Sequence, residues 1–392
     1  MTPRRLTGAL AAAALTVTAL GACAAPAESS ADTVKVGVLT STSGLLSSYG
    51  RQYSDGFAAG LDYATDGTGK VGDITVEVTY HDDAGEPEKA TSTATGIIGD
   101  GYTILAGTAS SGVATQLAPL AEQNQILYIG GPAATDAMTG INDFTFRSGR
   151  QTYQDLLAAQ SFLGDLEGKK ILVLAQDYAF GQDNVAAAEK VFGEEGGADV
   201  EPVLVPLDTT DFTPFARQIT DAKPDMLFVA WAGDTASNMW QTLDQQKVFD
   251  STKVVTGLAE RVGYETFGAA GTKIDFLSHY FAEATDNEPA TALAAALAKD
   301  DITPDIFHTD GFTAAQMVVR AIAEGGTDPA AMAKALEGWT FTSPKGESTV
   351  RASDHALLQP MFQARLVEKD GALVPELVTA LTSDDVTPPE AK

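Results

Sequence analysis

Residues 107–112, with the sequence GTASSG, are the first candidates for binding chemistry. They follow a short apolar run and precede a helical pattern, so we predict a loop that opens a helix. Unpaired N–H groups at a helix start, with a serine hydroxyl, bind a carboxylate or another anion well. A helix cap formed by Ser110 or Ser111 accounts for the same residues. A nucleophile elbow is excluded, because the residue two before Ser110 is Thr108 and not glycine.

The segment GGPAAT at residues 130–135 follows the next predicted strand and is a second candidate. Ligands of open α/β sheets lie at the carboxyl ends of strands. The carbonyl groups of this segment and the hydroxyl of Thr135 could therefore contact a neighbouring part of the same ligand. A plain strand-to-helix turn is the simpler explanation when this segment is taken alone.

Patterns typical of enzymes are missing from the sequence. It has no glycine-rich phosphate loop and no spaced pair of nucleophile and base, and its histidines lack metal-ligand spacing. We therefore expect no enzymatic activity, no cofactor and no bound metal. The four histidines, which we interpret first as structural, are His81, His279, His308 and His355. Of these, His308 is the best candidate for lining a cleft, because it neighbours Phe307.

Short apolar runs alternate with helical patterns, which predicts parallel sheets with helices on both faces. The alternation restarts after Arg147, so we expect two α/β lobes with a small-molecule cleft between them. Strands are predicted at about residues 34–39, 74–80, 103–106, 126–129, 171–175, 200–205, 226–230, 253–256 and 274–278. Helices are predicted at about residues 48–66, 87–99, 113–123, 152–163, 182–192, 212–220, 235–245, 310–325 and 329–336. A final hairpin, from residues 357–368 and 373–377, turns at Asp370-Gly371.

The N-terminus has the features of an export signal. Arg4 and Arg5 precede an apolar stretch at residues 9–20, which is too short to span a bilayer as a helix. The following LGAC, ending at Cys23, resembles a bacterial lipobox, in which the cysteine becomes the acylated first residue. We expect residues 1–22 to be a signal peptide and residues 23–32 a lipid-anchored tether outside the cytoplasm, on the cell membrane. A free cysteine in an ordinary signal peptide is the alternative.

The composition limits the partners of the chain. Its 53 acidic residues outnumber its 25 basic residues and give a net charge of −28. Such a surface repels nucleic-acid phosphates, so we expect no nucleic-acid partner. Cys23 is the only cysteine, which excludes an internal disulfide and a thiolate metal site. We expect a monomer with two lobes, stabilised by its apolar cores.

Residues 107–135 resemble the corresponding stretch of the leucine/isoleucine/valine-binding proteins, which are type I periplasmic binding proteins of ABC importers. The spacing from TQ at residues 115–116 to PAAT at residues 132–135 matches that family without a gap. Further matches, in order, are SGL at 43–45, YG at 49–50, YHDDA at 80–84, FR at 146–147, DYAFG at 177–181, DF at 211–212, DMLFV at 225–229 and GFTAA at 311–315.

This resemblance implies an α/β fold with two Rossmann-like lobes, whose parallel sheets are joined by a hinge of three crossovers. It implies that residues 33–148 and 280–357 form lobe 1. Residues 149–279 and 358–380 would form lobe 2. The proline-rich and acidic composition of the end of the chain predicts a disordered tail at residues 381–392.

The resemblance also implies roles for single residues. Ser111 and Thr135 would hydrogen-bond a ligand carboxylate, and the carbonyl of Ala133 would accept from a ligand ammonium. Aromatic side chains would close the pocket from both lobes and contact the ligand: Tyr49 in lobe 1, Tyr178 or Phe180 with Trp231 in lobe 2, and Phe307.

Two further implications concern charge and pocket shape. Glu260 is the nearest candidate for the acid that meets a ligand ammonium, one position out of the family register. Arg261 could instead meet a second carboxylate, and a solvated ion pair of the loop accounts for both residues. Residues 230–234, with the sequence AWAGD, replace a more tyrosine-rich stretch of the family. The flat side chain of Trp231 would suit an aromatic or planar solute, and packing in the core is the alternative explanation for this tryptophan.

The function implied is that of a substrate-binding lipoprotein of an ABC importer. It would capture a branched-chain or other amino acid, or a related small organic acid or amide, and deliver it to a membrane permease. The alternative is a ligand-sensing module for aromatic or planar solutes that is not coupled to an importer.

Overall fold

The computed structural model describes Met1 and residues 32–233 and 235–391. The predicted signal peptide apart from Met1 lies outside the described residues, as do Cys23 and the predicted tether apart from Asp32. None of the described helices combines the length and apolar composition needed to cross a lipid bilayer.

The first lobe is built on a six-stranded sheet with the order β2-β3-β1-β4-β5-β6. Its strands are β1 (Thr33–Thr40), β2 (Lys70–Val71), β3 (Ile74–Asp82), β4 (Ile104–Ala106), β5 (Leu127–Gly130) and β6 (Thr145–Arg147). All neighbours run parallel except β2, which pairs antiparallel with β3. The helices of this lobe are α1 (Ser47–Ala64), α2 (Pro87–Gly99), α3 (Ser111–Asn124), α8 (Glu288–Leu297), α9 (His308–Gly325) and α10 (Pro329–Leu336).

The second lobe is built on a seven-stranded sheet with the order β16-β15-β11-β10-β9-β7-β8. Its strands are β7 (Lys170–Gln176), β8 (Asp199–Val205), β9 (Met226–Ala230), β10 (Lys253–Gly257), β11 (Asp275–Ser278), β15 (Met361–Lys369) and β16 (Ala372–Leu381). The first five are parallel, and β15 and β16 add an antiparallel hairpin beside β11. The helices are α4 (Thr152–Gln160), α5 (Ala179–Ala188), α6 (Thr213–Ala222) and α7 (Ala236–Gln245), with a 3-10 segment at Arg261–Lys273.

Apolar side chains cover both faces of the central strands of each sheet, which explains why these strands appear as nearly continuous apolar runs in the sequence. In β1, Val36 and Val38 contribute to the core on one face, while Leu39 contributes to the core on the other. In β7, Leu172 and Val173 divide in the same way between the two cores of the second lobe.

The chain passes between the sheets three times. The crossovers follow β6, β11 and β14 (Leu357–Leu358), and β14 belongs to a small antiparallel sheet with β12 (Thr340–Ser343) and β13 (Gly346–Val350). This arrangement confirms the predicted fold class of two α/β lobes joined by three crossovers. It also confirms the hairpin turned at Asp370-Gly371.

Helices α1 and α9 pack closely through glycines. A Cβ atom on Gly56 would lie 1.9 Å from the carbonyl oxygen of His308, and one on Gly311 would lie 2.0 Å from that of Tyr53. Real Cβ atoms do not approach backbone so closely, so any side chain at either position would push the two helices apart. The first and last thirds of the chain therefore form one core in lobe 1.

A cluster of buried charged and polar side chains lies at the crossovers, and we call Lys345, Asp310, Gln359 and His279 the hinge cluster. The Nζ of Lys345 lies 2.7 Å from Oδ1 of Asp310 and donates to Oε1 of Gln359 at 2.6 Å. His279 follows β11, and its Nε2 lies 3.8 Å from Oδ2 of Asp310. At the first crossover, a Cβ on Gly149 would lie 2.8 Å from the same oxygen. The cluster therefore touches all three crossovers.

The end of the chain differs from the predicted disordered tail. Asp384–Val386 forms a 3-10 turn, and Val386 is buried. Arg351 donates to the carbonyl oxygen of Pro388 at 2.7 Å, and the N–H of Ala391 donates to Asp354 at 2.9 Å. Composition did not reveal these contacts, because their partners lie more than thirty residues upstream.

Candidate functional site

A cavity of about 370 Å³ lies between the two lobes. This volume falls within the range of small-molecule sites. Its wall includes Tyr49, Ser111 and Ala134 from lobe 1 and Tyr178, Trp231 and Glu260 from lobe 2. These residues follow the carboxyl ends of strands in both sheets, or begin the helices that come next, as expected for a ligand site in open α/β sheets.

Two neighbouring aspartates at the end of β3, Asp82 and Asp83, hold the loop that leads to Tyr49. Oδ1 of Asp82 accepts from the backbone N–H groups of Thr42 and Ser43 at 2.8 and 3.0 Å. Oδ1 of Asp83, which is fully buried, accepts from the hydroxyl of Ser41 at 2.6 Å. The loop is therefore fixed to the sheet, and α1 starts at a defined position beside the cavity.

The start of α3 meets the cavity through Ser111. This residue is the first of the helix and lines the wall, whereas Ser110 lies outside the wall and directs its hydroxyl to the carbonyl of Gly85 at 3.4 Å. The side chain of Ser110 forms no helix-capping hydrogen bond. Ser111 is therefore the serine that the helix start presents to the cavity, and Ser110 does not cap the helix.

Ala133 and Thr135 are placed differently from their predicted roles. The wall is formed by Pro132 and Ala134, while the carbonyl oxygens of Ala133 and Thr135 accept from Arg147 at 2.9 and 2.7 Å. The hydroxyl of Thr135 accepts from the N–H of Ala137 at 3.2 Å. The physical reason is that the guanidinium of Arg147 is buried and must find carbonyl acceptors nearby.

Aromatic side chains form much of the wall. The rings of Tyr49 and Phe307 lie 4.3 Å apart, and those of Tyr178 and Phe180 lie 6.0 Å apart. Trp231 lines the cavity and donates its Nε1–H to Thr235 at 3.0 Å. Burial, and then the nearby Glu260, raise the pKa of Tyr49 far above its ordinary value, so its phenol is neutral.

Glu260 lies in the wall and contacts lobe 1 directly. Its carboxylate accepts from the hydroxyl of Ser48 at 2.9 Å and from the amide of Gln52 at 2.6 Å. Arg261 is not part of the wall, and its guanidinium pairs with Glu283. The structure thus places Glu260 across the cleft and Arg261 in a loop ion pair.

Arg150 is a cavity residue that sequence reasoning missed. Its side chain lines the wall and is 11% exposed, and its Nη1 donates to the carbonyl of Pro132 at 2.9 Å. Its Nε lies 3.3 Å from Oδ2 of Asp155. Arg150 could have been recognised as a site residue because it follows the carboxyl end of β6. That strand has only three residues and was not predicted from the sequence, so the residues after it were not considered.

Two histidines lie near the cavity. His279 lines it, and burial, followed by the charges of Arg150 and Lys345, lowers the pKa of His279 well below its ordinary value. His308, the histidine that the sequence favoured, lies behind the wall and accepts the backbone N–H of Asp305 at Nδ1, at 3.0 Å. His308 is therefore a structural residue in this arrangement.

We expect His308→Asn to flatten the pH dependence of stability. Burial lowers the pKa of His308 from its ordinary value of 6.5 to about 4. The unfolded chain therefore binds the proton more readily, so stability that is complete above pH 6.5 is lost as the pH falls towards 4, by on the order of 3 kcal/mol. Asparagine can still accept from Asp305 but cannot titrate.

Urea unfolding at pH 7.0 and pH 4.5 measures this effect. The difference in the free energy of unfolding between the two pH values should be smaller in His308→Asn than in the unmodified protein. His81→Asn is the control, because His81 is only partly buried and should matter far less. Equal pH dependence in all three proteins would show that His308 does not contribute.

Comparisons with known proteins agree with this architecture. The family model described as "Periplasmic binding protein" matches residues 33–372. A Leu/Ile/Val-binding protein homologue from Brucella suis is 26% identical over 378 residues, covering 92% of this chain and 93% of that protein.

Solved structures give the same result. An ABC-type branched-chain amino acid transporter protein from Rhodopseudomonas palustris is 30% identical, covers 91% of this chain and 99% of its own, and superposes with a TM-score of 0.77. A solute-binding protein of an ABC transporter from R. palustris, in complex with 4-hydroxybenzoate, is 25% identical with a TM-score of 0.81, covering 90% of this chain and 97% of its own. The chain belongs to the leucine/isoleucine/valine-binding protein family of type I periplasmic binding proteins, the solute-binding proteins of ABC transporters.

Proposed function

We propose that this protein captures a small solute between its two lobes outside the cytoplasm and delivers it to an ABC permease. The solute would be an amino acid or a related small organic acid or amide. The observation that carries the proposal is the cavity of about 370 Å³, to which both lobes contribute wall residues. A ligand that contacts both lobes stabilises the closed arrangement over the open one.

The names of related proteins support two solute classes. One structural relative is named for branched-chain amino acids, and another holds 4-hydroxybenzoate. The shared chemistry of these ligands is a carboxylate beside an apolar group. Residues 1–22 as a signal peptide and an acylated Cys23 would keep the protein on the outer face of the cell membrane, as a monomer beside its permease.

A thermal-shift screen tests solute capture. The purified protein is heated with amino acids, aromatic acids and amides, and a ligand at a hundredfold excess over its Kd should stabilise it by about 2.7 kcal/mol. The ligand recovered by chromatography should be unchanged, which separates binding from turnover. A folded protein that responds to no member of the panel would contradict the proposal.

Uptake by whole cells tests delivery. Cells that lack this protein should take up the radiolabelled ligand more slowly, and restoring the protein should restore uptake. Normal uptake in the deletion strain, with binding intact, would instead favour a ligand-sensing module that is not coupled to an importer.

We expect Ser111→Ala to weaken ligand binding by about 1–3 kcal/mol, because the hydroxyl at the start of α3 would no longer pair with a buried ligand atom. Isothermal titration calorimetry with the best ligand of the screen measures the change. Ser110→Ala is the matched control, since this neighbouring hydroxyl lies outside the wall. Equal affinities for both variants and the unmodified protein would rule out a contact between Ser111 and the ligand.

A further inference from the structure

The cavity has more room than a small solute between the lobes needs. Its volume is about 370 Å³, whereas a cavity of about 150 Å³ is large enough to hold benzene. Part of its wall comes from lobe 2 alone, where α7 faces the 3-10 segment at Arg261–Lys273. We call this part of the cavity the side chamber, and its wall is formed by Ala236, Ser237 and Trp240 of α7 and by Gly263, Thr266 and Phe267 of the 3-10 segment.

Helical spacing places the wall residues of the side chamber opposite each other. Ala236 and Trp240 are four residues apart on α7, so they lie on one face of that helix. Thr266 lies three residues after Gly263 in the 3-10 segment, so these two residues also share a face. The rings of Trp240 and Phe267 lie 5.2 Å apart and both belong to the core of lobe 2. The side chamber therefore reaches that core and is built without any residue of lobe 1.

The inner end of the side chamber is apolar. Trp240 and Phe267 contribute aromatic surface there, and Ala236 contributes a methyl group. The hydroxyl of Thr266 donates to the carbonyl of Gly263 at 2.5 Å, so its proton is already used within the wall. None of the described residues that form this wall carries a charge. The interaction that such a wall offers a ligand is the burial of apolar surface.

The charged groups of the cavity belong to other elements. Arg150 and Asp155 pair there, with 3.3 Å between Nε and Oδ2, and Oδ1 of Asp155 has no hydrogen-bond partner among the described residues. Glu260, just before the 3-10 segment, accepts hydrogen bonds from lobe 1. These groups can pair with a polar head of either sign. A solute with its head beside them can direct an apolar substituent into the side chamber.

We propose that the solute carries an apolar substituent longer than the side chain of leucine, which lies in the side chamber while the polar head lies between the lobes. This inference rests on the proposed solute-capture function and narrows it to acids or amino acids with a long apolar chain. A solute of the size of leucine or benzoate would leave the side chamber unfilled, and the atoms of its wall would lack the dispersion contacts that a longer chain provides.

Calorimetric titration of the unmodified protein with two series of compounds tests the chain length. One series is hexanoate, octanoate and decanoate, and the other is norleucine with its eight-carbon and ten-carbon homologues. In the series whose head group binds, each addition of two methylenes should tighten one-to-one binding about tenfold, because each methylene is buried against the apolar wall.

The same titrations can contradict the inference. Affinity that stays level or falls as the chain grows would overturn it and leave the proposed function intact, because the short compounds would still bind. If neither series bound, the inference would also fail, and the wider thermal-shift panel would decide the proposed function separately.

Ala236→Leu tests where the chain lies. The larger side chain should fill part of the side chamber, so the ten-carbon compound should bind about tenfold more weakly and the six-carbon compound should change by less than about twofold. Gln241→Leu, at an exposed residue of the same helix outside the wall, should change neither affinity. Equal losses for both compounds, or an unchanged preference for the longer one, would overturn the inference. Should Ala236→Leu fail to fold, the two series on the unmodified protein still decide.

Discussion

Lys345→Met should lower the free energy of unfolding by about 3–5 kcal/mol. The side chains of Lys345 and Asp310 are both fully buried, and 2.7 Å separates their charged atoms. Removing the lysine charge leaves the carboxylate of Asp310 in the interior without its main partner, and breaking a buried ion pair in this way is strongly destabilising. Gln359 also loses the donor to its Oε1 atom. Urea unfolding followed by circular dichroism measures the change.

Lys334→Met is the matched control for this variant. Lys334 pairs with Glu337 at the surface, where its side chain is 78% exposed, so the loss should not exceed about 1 kcal/mol. Adding Asp310→Asn to Lys345→Met should recover part of the stability, because the buried charge is then gone as well. If the Lys345→Met variant were as stable as the Lys334→Met control, the buried ion pair of the hinge cluster would not contribute to stability as we expect.

Glu260→Ala should weaken binding of the ligand by about 10- to 100-fold, whatever the ligand's charge. Two hydrogen bonds to this partly buried carboxylate join the lobes, and we expect the pair together to contribute about 1.4–2.7 kcal/mol, because solvent weakens interactions of partly exposed charges. Their loss makes the closed arrangement less favourable, and the apparent affinity falls with the population of that arrangement. Calorimetry with a benzoate and an amino acid measures the effect.

The comparison of ligands separates two roles for Glu260. If Glu260 only holds the lobes together, the affinity for both compounds should fall by a similar factor. If Glu260 contacts a ligand ammonium directly, only the affinity for the amino acid should fall. Glu265→Ala is the control, because Glu265 belongs to the same 3-10 segment but is exposed and lies outside the wall. A loss confined to amino acids would return Glu260 to the role that the family resemblance implies.

The sequence predicted the fold well because burial on both faces of the sheets leaves long apolar runs. The strands Met226–Ala230 and Lys170–Gln176 were found this way. Helices and strands that are stabilised by packing against neighbours, and that lack a clear apolar pattern in the sequence, were missed. The three residues of β6 are too few to show an alternation of apolar and polar side chains. Helix α8 contains five alanines in ten residues, so its buried and exposed faces differ little in hydrophobicity.

The sequence predicted those site residues whose side chains line the cavity at positions that match the family. Ser111, Tyr49 and Phe307, which the family resemblance assigned to the ligand site, line the cavity. Ala133 and Thr135 were assigned by the resemblance too, but neither lines the cavity: the carbonyl of Ala133 accepts from Arg147, and the hydroxyl of Thr135 accepts from the N–H of Ala137. Hydrogen bonds between residues far apart in the chain, such as those of Glu260 with Ser48 and Gln52, leave no trace in one sequence.

The close contact between α1 and α9 sets the order in which this chain can fold. Gly56 meets the backbone of His308, so the core of lobe 1 joins residues separated by about 250 positions. Contacts of such high sequence separation slow folding, because a long loop must be ordered before they form. During synthesis, the first six strands must wait for a helix near residue 308. We therefore expect the five parallel strands of lobe 2, β7 to β11, to pair before the core of lobe 1 is complete, and the β15–β16 hairpin to join that sheet last.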